Sequence, residues 1–151
     1  MTHRFENHDL VTEHAAQLID VTDDVRGVVE RAAIRNGMAL VYSPHTTCAI
    51  LINERESGFA ADFRDLLQQL APSEGRYYRH DNLAIRTEGI EDDTADFPNG
   101  HSHCWSGLIA SASQTVPVID GKLMLGTWQR IFFCELDRSR NRKVFIQVMG
   151  E

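Results

Sequence analysis

The sequence predicts an α+β domain with largely antiparallel β-sheet layers and two main helices, and three observations carry that expectation. Strand-like and helix-like stretches come in blocks rather than in strict alternation, which disfavours a doubly wound parallel sheet. The last third is strand signal broken by hairpin markers, Asp120-Gly121 and the looser "DRSRNR". The chain has 151 residues, 42% of them hydrophobic and 25% charged, the size and balance of a single domain spanning 1–151.

Taken in order, "HRFENHDL" and "EHAAQLIDVT" read as weakly alternating strands with "VTEH" as the turn between them. A helix follows in "DVTDDVRGVVERAAIRNG": Thr22 is the expected N-cap, Val25, Val28, Val29, Ala32 and Ala33 form the apolar stripe, and Asn36-Gly37 closes it. "MALVYSP" is then a buried strand, and "TTCAILINE" a second one after the turn at Pro44-His45. The next helix is "SGFAADFRDLLQQLAP", capped at Ser57 and ended by Pro72, with Phe59, Phe63, Leu66, Leu67 and Leu70 inward. From Ser73 to Gly100 the periodic signals fade, and a connection that long in a compact domain is usually functional or mobile. "HSHCWSGLIASA" fits a short helix. The strands "SQTVPVIDGKLML", "WQRIFFCELD" and "RKVFIQVMG" complete the chain, the last with apolar residues on both faces.

The formal charge is −7, which argues against a uniformly basic surface and so against nucleic acid as a partner. The acidic run "EGIEDDTAD", Glu88 to Asp96, reads either as a solvated loop or as an attractor for a cation near the histidines that follow. No apolar run reaches the ~20 residues of a membrane span, and no basic segment leads into an apolar one at the N-terminus. Cytoplasm is the expected compartment. Cys48, Cys104 and Cys134 are odd in number and form no CxxC pair, which excludes a disulfide framework and a zinc ribbon.

Seven histidines concentrate the chemistry, and His3, His8 and His14 read as surface residues of a weak strand. His101 and His103 are two apart: in an extended segment both imidazoles face one side and share a metal, whereas in a helix they diverge by ~200°. A polar loop of hydrogen-bonded histidines is the plainer alternative. His80 stands beside Asp81, an arrangement that orients a metal ligand or fixes the tautomer of a general base. His45 opens "HTTC", where Thr46 and Thr47 either contact an anion such as phosphate or simply start a strand. Asn53 and Glu54 end that strand, and eight residues of extended chain separate His45 from Asn53 by ~26 Å, so the two cannot serve one site in a straight strand. In "GTWQR", Trp128 offers an apolar wall and Gln129 a polar contact, or the segment is a bulged strand with Trp128 in the core.

The blocks "HTTCAILINERE", "YRHD", "DDTADFPNGHSH" and above all "SQTVPVIDGKLMLGTWQRI" resemble the YjbQ-like family of small conserved proteins, often labelled secondary thiamine-phosphate synthases. They lie in order between Tyr42 and Gly150. The resemblance implies a single α+β domain, a homotrimer, and a metal or anion site near subunit boundaries, where neighbours pool residues. His45, Asn53, Glu54, His80 and His103 match its recurrent polar positions, as do Asp62, Gly126, Trp128 and Gln129; His101 matches many members. Relatives commonly carry a lysine after the last histidine, whereas this chain has Cys104 and Trp105.

The functional expectation is a metal-dependent enzyme acting on a phosphorylated small molecule, with thiamine-phosphate synthase activity implied by the resemblance. In it His45, His80, His103 and His101 hold a divalent metal, zinc rather than magnesium by donor type. Glu54, Asn53 and His80 are the catalytic candidates, and Thr46, Thr47, Trp128 and Gln129 contact substrate or anion. The alternatives are a non-catalytic metal- or ligand-binding homotrimer, and a structural protein whose histidines satisfy hydrogen bonds at subunit interfaces.

Overall fold

The computed structural model describes residues 2–90 and 98–151. Most of the acidic run, Glu91 to Asp96, lies outside the described residues. Among them, eight strands and three helices form one α+β domain: β1 (Thr2–Val11), β2 (Gln17–Asp20), α1 (Thr22–Ala32), β3 (Gly37–Tyr42), β4 (Cys48–Glu54), α2 (Ser57–Leu70), α3 (Gly100–Ile109), β5 (Ser113–Ile119), β6 (Lys122–Leu123), β7 (Gln129–Glu135) and β8 (Asn141–Gly150). Every strand pairing among the described residues is antiparallel, as expected, in a five-stranded sheet ordered β1-β8-β3-β5-β6 and a three-stranded sheet ordered β2-β7-β4. The first two strands do not pair with each other but enter different sheets.

The main core lies between the two sheets. Ala39 and Val41 of β3, Val144, Ile146 and Val148 of β8, and Val116 and Val118 of β5 meet Ile50, Ile131 and Phe133 of the smaller sheet, with Val25, Val28 and Val29 of α1 packed among them. The smaller sheet is apolar on its other face too, where Ala49, Phe132 and Cys134 meet Leu67 of α2 and Trp105 of α3. That second face explains the unbroken apolar run "IFFC". Trp105, fully buried, donates its indole N–H toward the carbonyls of Leu67 (2.8 Å) and Ala71 (2.9 Å), which pins α3 to the C-terminal end of α2.

Several boundary expectations need correction. Val21, not Thr22, is the N-cap of α1; Thr22 is buried and its hydroxyl accepts the N–H of Ile131 instead. Ala33 is the exposed, left-handed C-cap, so it does not face the core, and Gly37 belongs to β3. There, a Cβ on Gly37 would run into the Met149 carbonyl, because β3 and β8 approach at the Gly37–Gly150 pair. Glu56 caps α2 in place of Ser57, accepting from the N–H groups of Gly58 and Phe59 at 2.7 Å each. Leu66 and Leu70 are half exposed, because α2 meets the sheet through the narrower Phe63–Leu67 line. The helix count rises from two to three with α3. The Asp120-Gly121 hairpin joins β5 to β6 with positive φ at both residues.

Candidate functional site

α3 decides the fate of the two neighbouring histidines. Being helical, it sends His101 and His103 to different sides, so the extended pair sharing one ion does not form. His101 turns inward, 9% exposed, its ring edge-on to Trp105 at 4.9 Å between centroids and its Nε2 sharing a hydrogen bond with the Ser102 hydroxyl. Burial holds its pKa below the ordinary imidazole value. His103 faces the other way and meets His80, ring centroids 4.4 Å apart.

His80 rides on a 3-10 turn, Arg79–Asp81. Asp81 does not orient it, contrary to the expectation from adjacency. Its Oδ1 accepts the N–H groups of Asn99 (2.9 Å) and Gly100 (2.8 Å), placing a carboxylate at the N-terminus of α3. Gly100 leaves room for Tyr78, whose side chain a Cβ there would strike. The group that orients His80 is Asn99: its Nδ2 donates to Asp137 Oδ2 (3.3 Å), which leaves Oδ1 to accept from His80 Nε2–H at 3.1 Å. An amide oxygen only accepts, so this bond, the shorter of the two at Nε2, puts the His80 proton on Nε2 and its lone pair on Nδ1, while the Arg86 guanidinium, a donor 3.4 Å from the same nitrogen, works against that tautomer. Asp137, 7% exposed, is itself held by Arg140 (2.9 Å) and by its own N–H donating to Glu135.

Burial, then the neighbouring His80 and Arg86, hold the His103 pKa low, so the ring stays neutral near pH 7. Neither His103 nitrogen has a hydrogen-bond partner among the described residues. Arg86 lies alongside, within 3.4 Å of His80 Nε2, and both residues line a cleft of about 400 Å³ together with Arg79 and Thr87. The arrangement brings two imidazole rings side by side, which suits a borderline-soft cation or a general base. Among the described residues no group of three or more His, Cys, Asp and Glu side chains is close enough to hold a metal, so the described residues bring at most this pair.

His45 lies apart from that pair. Its Nε2 accepts the N–H of Lys143 at 2.9 Å, so one of its two ring nitrogens is already engaged. Thr47, expected to contact an anion, is 5% exposed, and its hydroxyl accepts from Arg142 (3.0 Å); Thr46 is exposed. Arg142 grips Glu135 with two bonds of 2.6 and 2.7 Å, and Thr12 donates to the same carboxylate. Cys48 touches it too, and burial pushes that thiol up to about 12. This buried network went unread, although strand parity carried the signal: Arg142 shares a face with Val144, Ile146 and Val148.

The remaining candidates sit at the far end of the smaller sheet. Register pairs Cys48 with Glu135 at one end and Glu54 with Gln129 at the other, about 20 Å along the strand. His45 lies in the turn before β4 rather than in an extended strand, so the straight-strand separation from Asn53 does not apply to it, and Asn53 stands near the far end of β4. Asn53 accepts the Glu54 N–H, and Gln129 closes the preceding loop by accepting from Gly126 N–H (2.8 Å) and donating its own N–H to Gly126 (3.0 Å). That loop holds Trp128 72% exposed, in neither a core nor a formed wall. Glu54 lines a cleft of about 530 Å³ with Arg55, Asp20 and Arg130, over Leu18 and Phe132. The predicted residues thus divide among three places, and only His80 and His103 come together.

A family model described as "UPF0047 protein YjbQ-like" matches residues 6–151. A UPF0047 protein of Methanothermobacter thermautotrophicus is 43% identical over 142 residues, 94% of this chain and 89% of that one. A hypothetical protein from Aeropyrum pernix K1 superposes with a TM-score of 0.81 at 33% identity, covering 98% of this chain and 99% of its own. A conserved protein of the YjbQ/UPF0047 family from Clostridium acetobutylicum gives 0.78 at 33%, covering 95% and 99%.

Proposed function

We propose, starting from the premise that the chain belongs to the UPF0047 YjbQ-like family, that it binds a divalent transition metal through His80 and His103 and acts on a phosphorylated small molecule. The observation that carries this reading is the 4.4 Å approach of the two rings, with the His80 lone pair directed to Nδ1 by Asn99 and Asp137. Paired imidazoles favour zinc over magnesium. The metal, when bound, polarises a phosphoryl oxygen or stabilises a departing phosphate. Asn99 and Asp137 hold His80 in one tautomer, and Arg86 adds positive charge beside it.

Two protein ligands are fewer than a zinc site uses, so a second copy completes the shell in this reading. The same assembly, a homotrimer, brings another chain's Glu54 toward the pair as acid or base. Phe5, Met38 and Tyr42 are exposed on one face of the larger sheet, and Phe145 packs against Phe5 and Tyr42, which supports a face between subunits. The reaction to assay is thiamine-phosphate formation, the activity implied by the family resemblance.

The second reading is a non-catalytic metal-binding homotrimer; it is favoured by the position of Glu54 at the end of β4 away from Glu135 and outside the cleft that His80 lines. Metal analysis of protein prepared without a tag or chelator tests the site: zinc is expected with wild type and lost in His103→Ala, and equal trace metal in both overturns it. Sedimentation tests the trimer. A rate of thiamine-phosphate formation unchanged by His80→Ala and Glu54→Ala leaves only the second reading.

A further inference from the structure

β8 outruns one of its neighbours. β3 ends at Tyr42, opposite Phe145, whereas β8 runs back to Asn141 alongside β1. Residues 141–144 thus have a strand on one side only, and the Lys143 N–H is an orphaned ladder donor. His45 takes it: the imidazole replaces the missing strand, with Nε2 accepting at 2.9 Å. A nitrogen that accepts an N–H carries no proton, so the neutral ring holds its proton on Nδ1. Burial first, then Arg142, keeps the ring neutral, with Arg140 acting in the same sense and Glu135 against it.

The Nδ1–H has no hydrogen-bond partner among the described residues. His45 lines a cleft of about 440 Å³ with Leu10 and Val11 on one side and Asn141 and Lys143 on the other. Arg142 is neutralised by Glu135 and Arg140 by Asp137, but the Lys143 ammonium has no ion pair among the described residues. One carboxylate, Asp9, also lines the cleft, opposite Lys143 in register. A cation would meet a ring that offers only a donor, beside a free ammonium.

The geometry points to this cleft as a binding site for a compact oxyanion on an apolar carrier, a phosphate monoester or a carboxylate. His45 Nδ1–H donates to the oxyanion, Lys143 supplies the charge, and the exposed Val11 receives the apolar part. The site needs no metal and stands whether or not His80 and His103 bind one. Where they do, it gives the phosphorylated substrate an anchor on the other side of the Glu135–Asp137 pair.

Imidazole ¹⁵N NMR on chelator-treated full-length protein tests the inference, with inorganic phosphate, phenyl phosphate and benzoate as probes. His45 is expected as the tautomer protonated on Nδ1. Phenyl phosphate should shift that signal saturably, binding at least about tenfold more weakly in His45→Ala. Lys143→Met keeps the backbone donor and the imidazole, and should weaken binding by several-fold without altering the tautomer. Stronger binding of phenyl phosphate than of benzoate assigns the oxyanion as phosphate, and the reverse as carboxylate. A His45 proton on Nε2 overturns the proposal, as does affinity unchanged by both substitutions. Because no metal is present, a negative result here leaves the His80–His103 reading intact.

Discussion

The two ends of the three-stranded sheet carry the same kinds of side chain and treat them in opposite ways. At the Glu135 end a carboxylate with no exposure and a guanidinium with 7% are locked together, and Thr12, Thr47 and Cys48 complete their hydrogen bonds. At the Glu54 end, Glu54 and Arg55 stand in water, and Arg55 reaches Asp20 only at 3.6 Å. Buried charges cannot change partners without leaving one uncompensated, so they fix geometry; exposed charges fix little. The ordered histidine pair is tied to the first end through Asp137, and an open cleft of about 530 Å³ lies beside the second.

The largest effect should therefore come from Glu135→Gln. It strands Arg142 in the interior and is expected to cost about 3–5 kcal/mol. Arg55→Ala, at the other end, should cost less than about 1 kcal/mol. Urea unfolding of both variants checks this, and comparable losses would erase the distinction between the ends.

Next in size is Asp137→Asn, which loosens Asn99 and so the His80 tautomer. If His80 and His103 hold a metal, affinity should fall about 10–100-fold, the range for groups that orient a ligating histidine. Competition against a fluorescent zinc chelator measures it. His101→Phe, which leaves the pair untouched but keeps the packing on Trp105, should leave affinity unchanged. If it lowers affinity as much as Asp137→Asn does, the Asn99–Asp137 chain is not what orients His80.

Elements whose logic is local were legible in advance: the Val25–Val28–Val29 stripe, the Asp120-Gly121 hairpin, and the strands of the last third, although "DRSRNR" forms no hairpin because β7 and β8 enter different sheets. What depends on a distant partner was not. Asp81 precedes a helix nineteen positions on and caps it, so adjacency to His80 misled. Thr47 looked like an anion contact because Arg142, 95 residues away, is invisible from the turn. His80 and His103 were both singled out, but the groups that hold His80 in place, Asn99 and Asp137, come from two further segments. Leu66 and Leu70 counted as core because an amphipathic stripe does not say how wide a face its neighbour covers.

A pH dependence sharpens the same contrast. His101 is buried with its pKa below 6.5, although Asp137 and Asp81 pull it upward. A lowered folded value means that the unfolded chain binds the extra proton first. The stability contribution is whole above the ordinary value of 6.5 and is lost as pH falls from there through the lowered one. His45 acts in the same window with the same sign. Urea midpoints should thus drop between neutral and mildly acidic pH, and His101→Phe should flatten part of that drop. A slope unchanged in the variant would mean that His101 is not held neutral by its surroundings.

The smallest effect belongs to the exposed end. Glu56 takes two N–H groups of α2, Gly58 first and then Phe59, and these hold its carboxyl below the ordinary value of 4.5. Its contribution is present above 4.5 and is lost as pH falls through the lowered value, a window more acidic than that of the histidines. Glu56→Ala should lower the melting temperature slightly at neutral pH and not at all in strong acid. Ser57→Ala should leave it unchanged at both, because the Ser57 hydroxyl only donates to Glu56 and caps nothing itself. If Ser57→Ala proved the more damaging, the cap would belong to the residue that composition favours rather than to the one whose carboxylate reaches the helix. Because Glu56 also lines the large cleft, a loss confined to melting would separate its structural part from any role in that cleft.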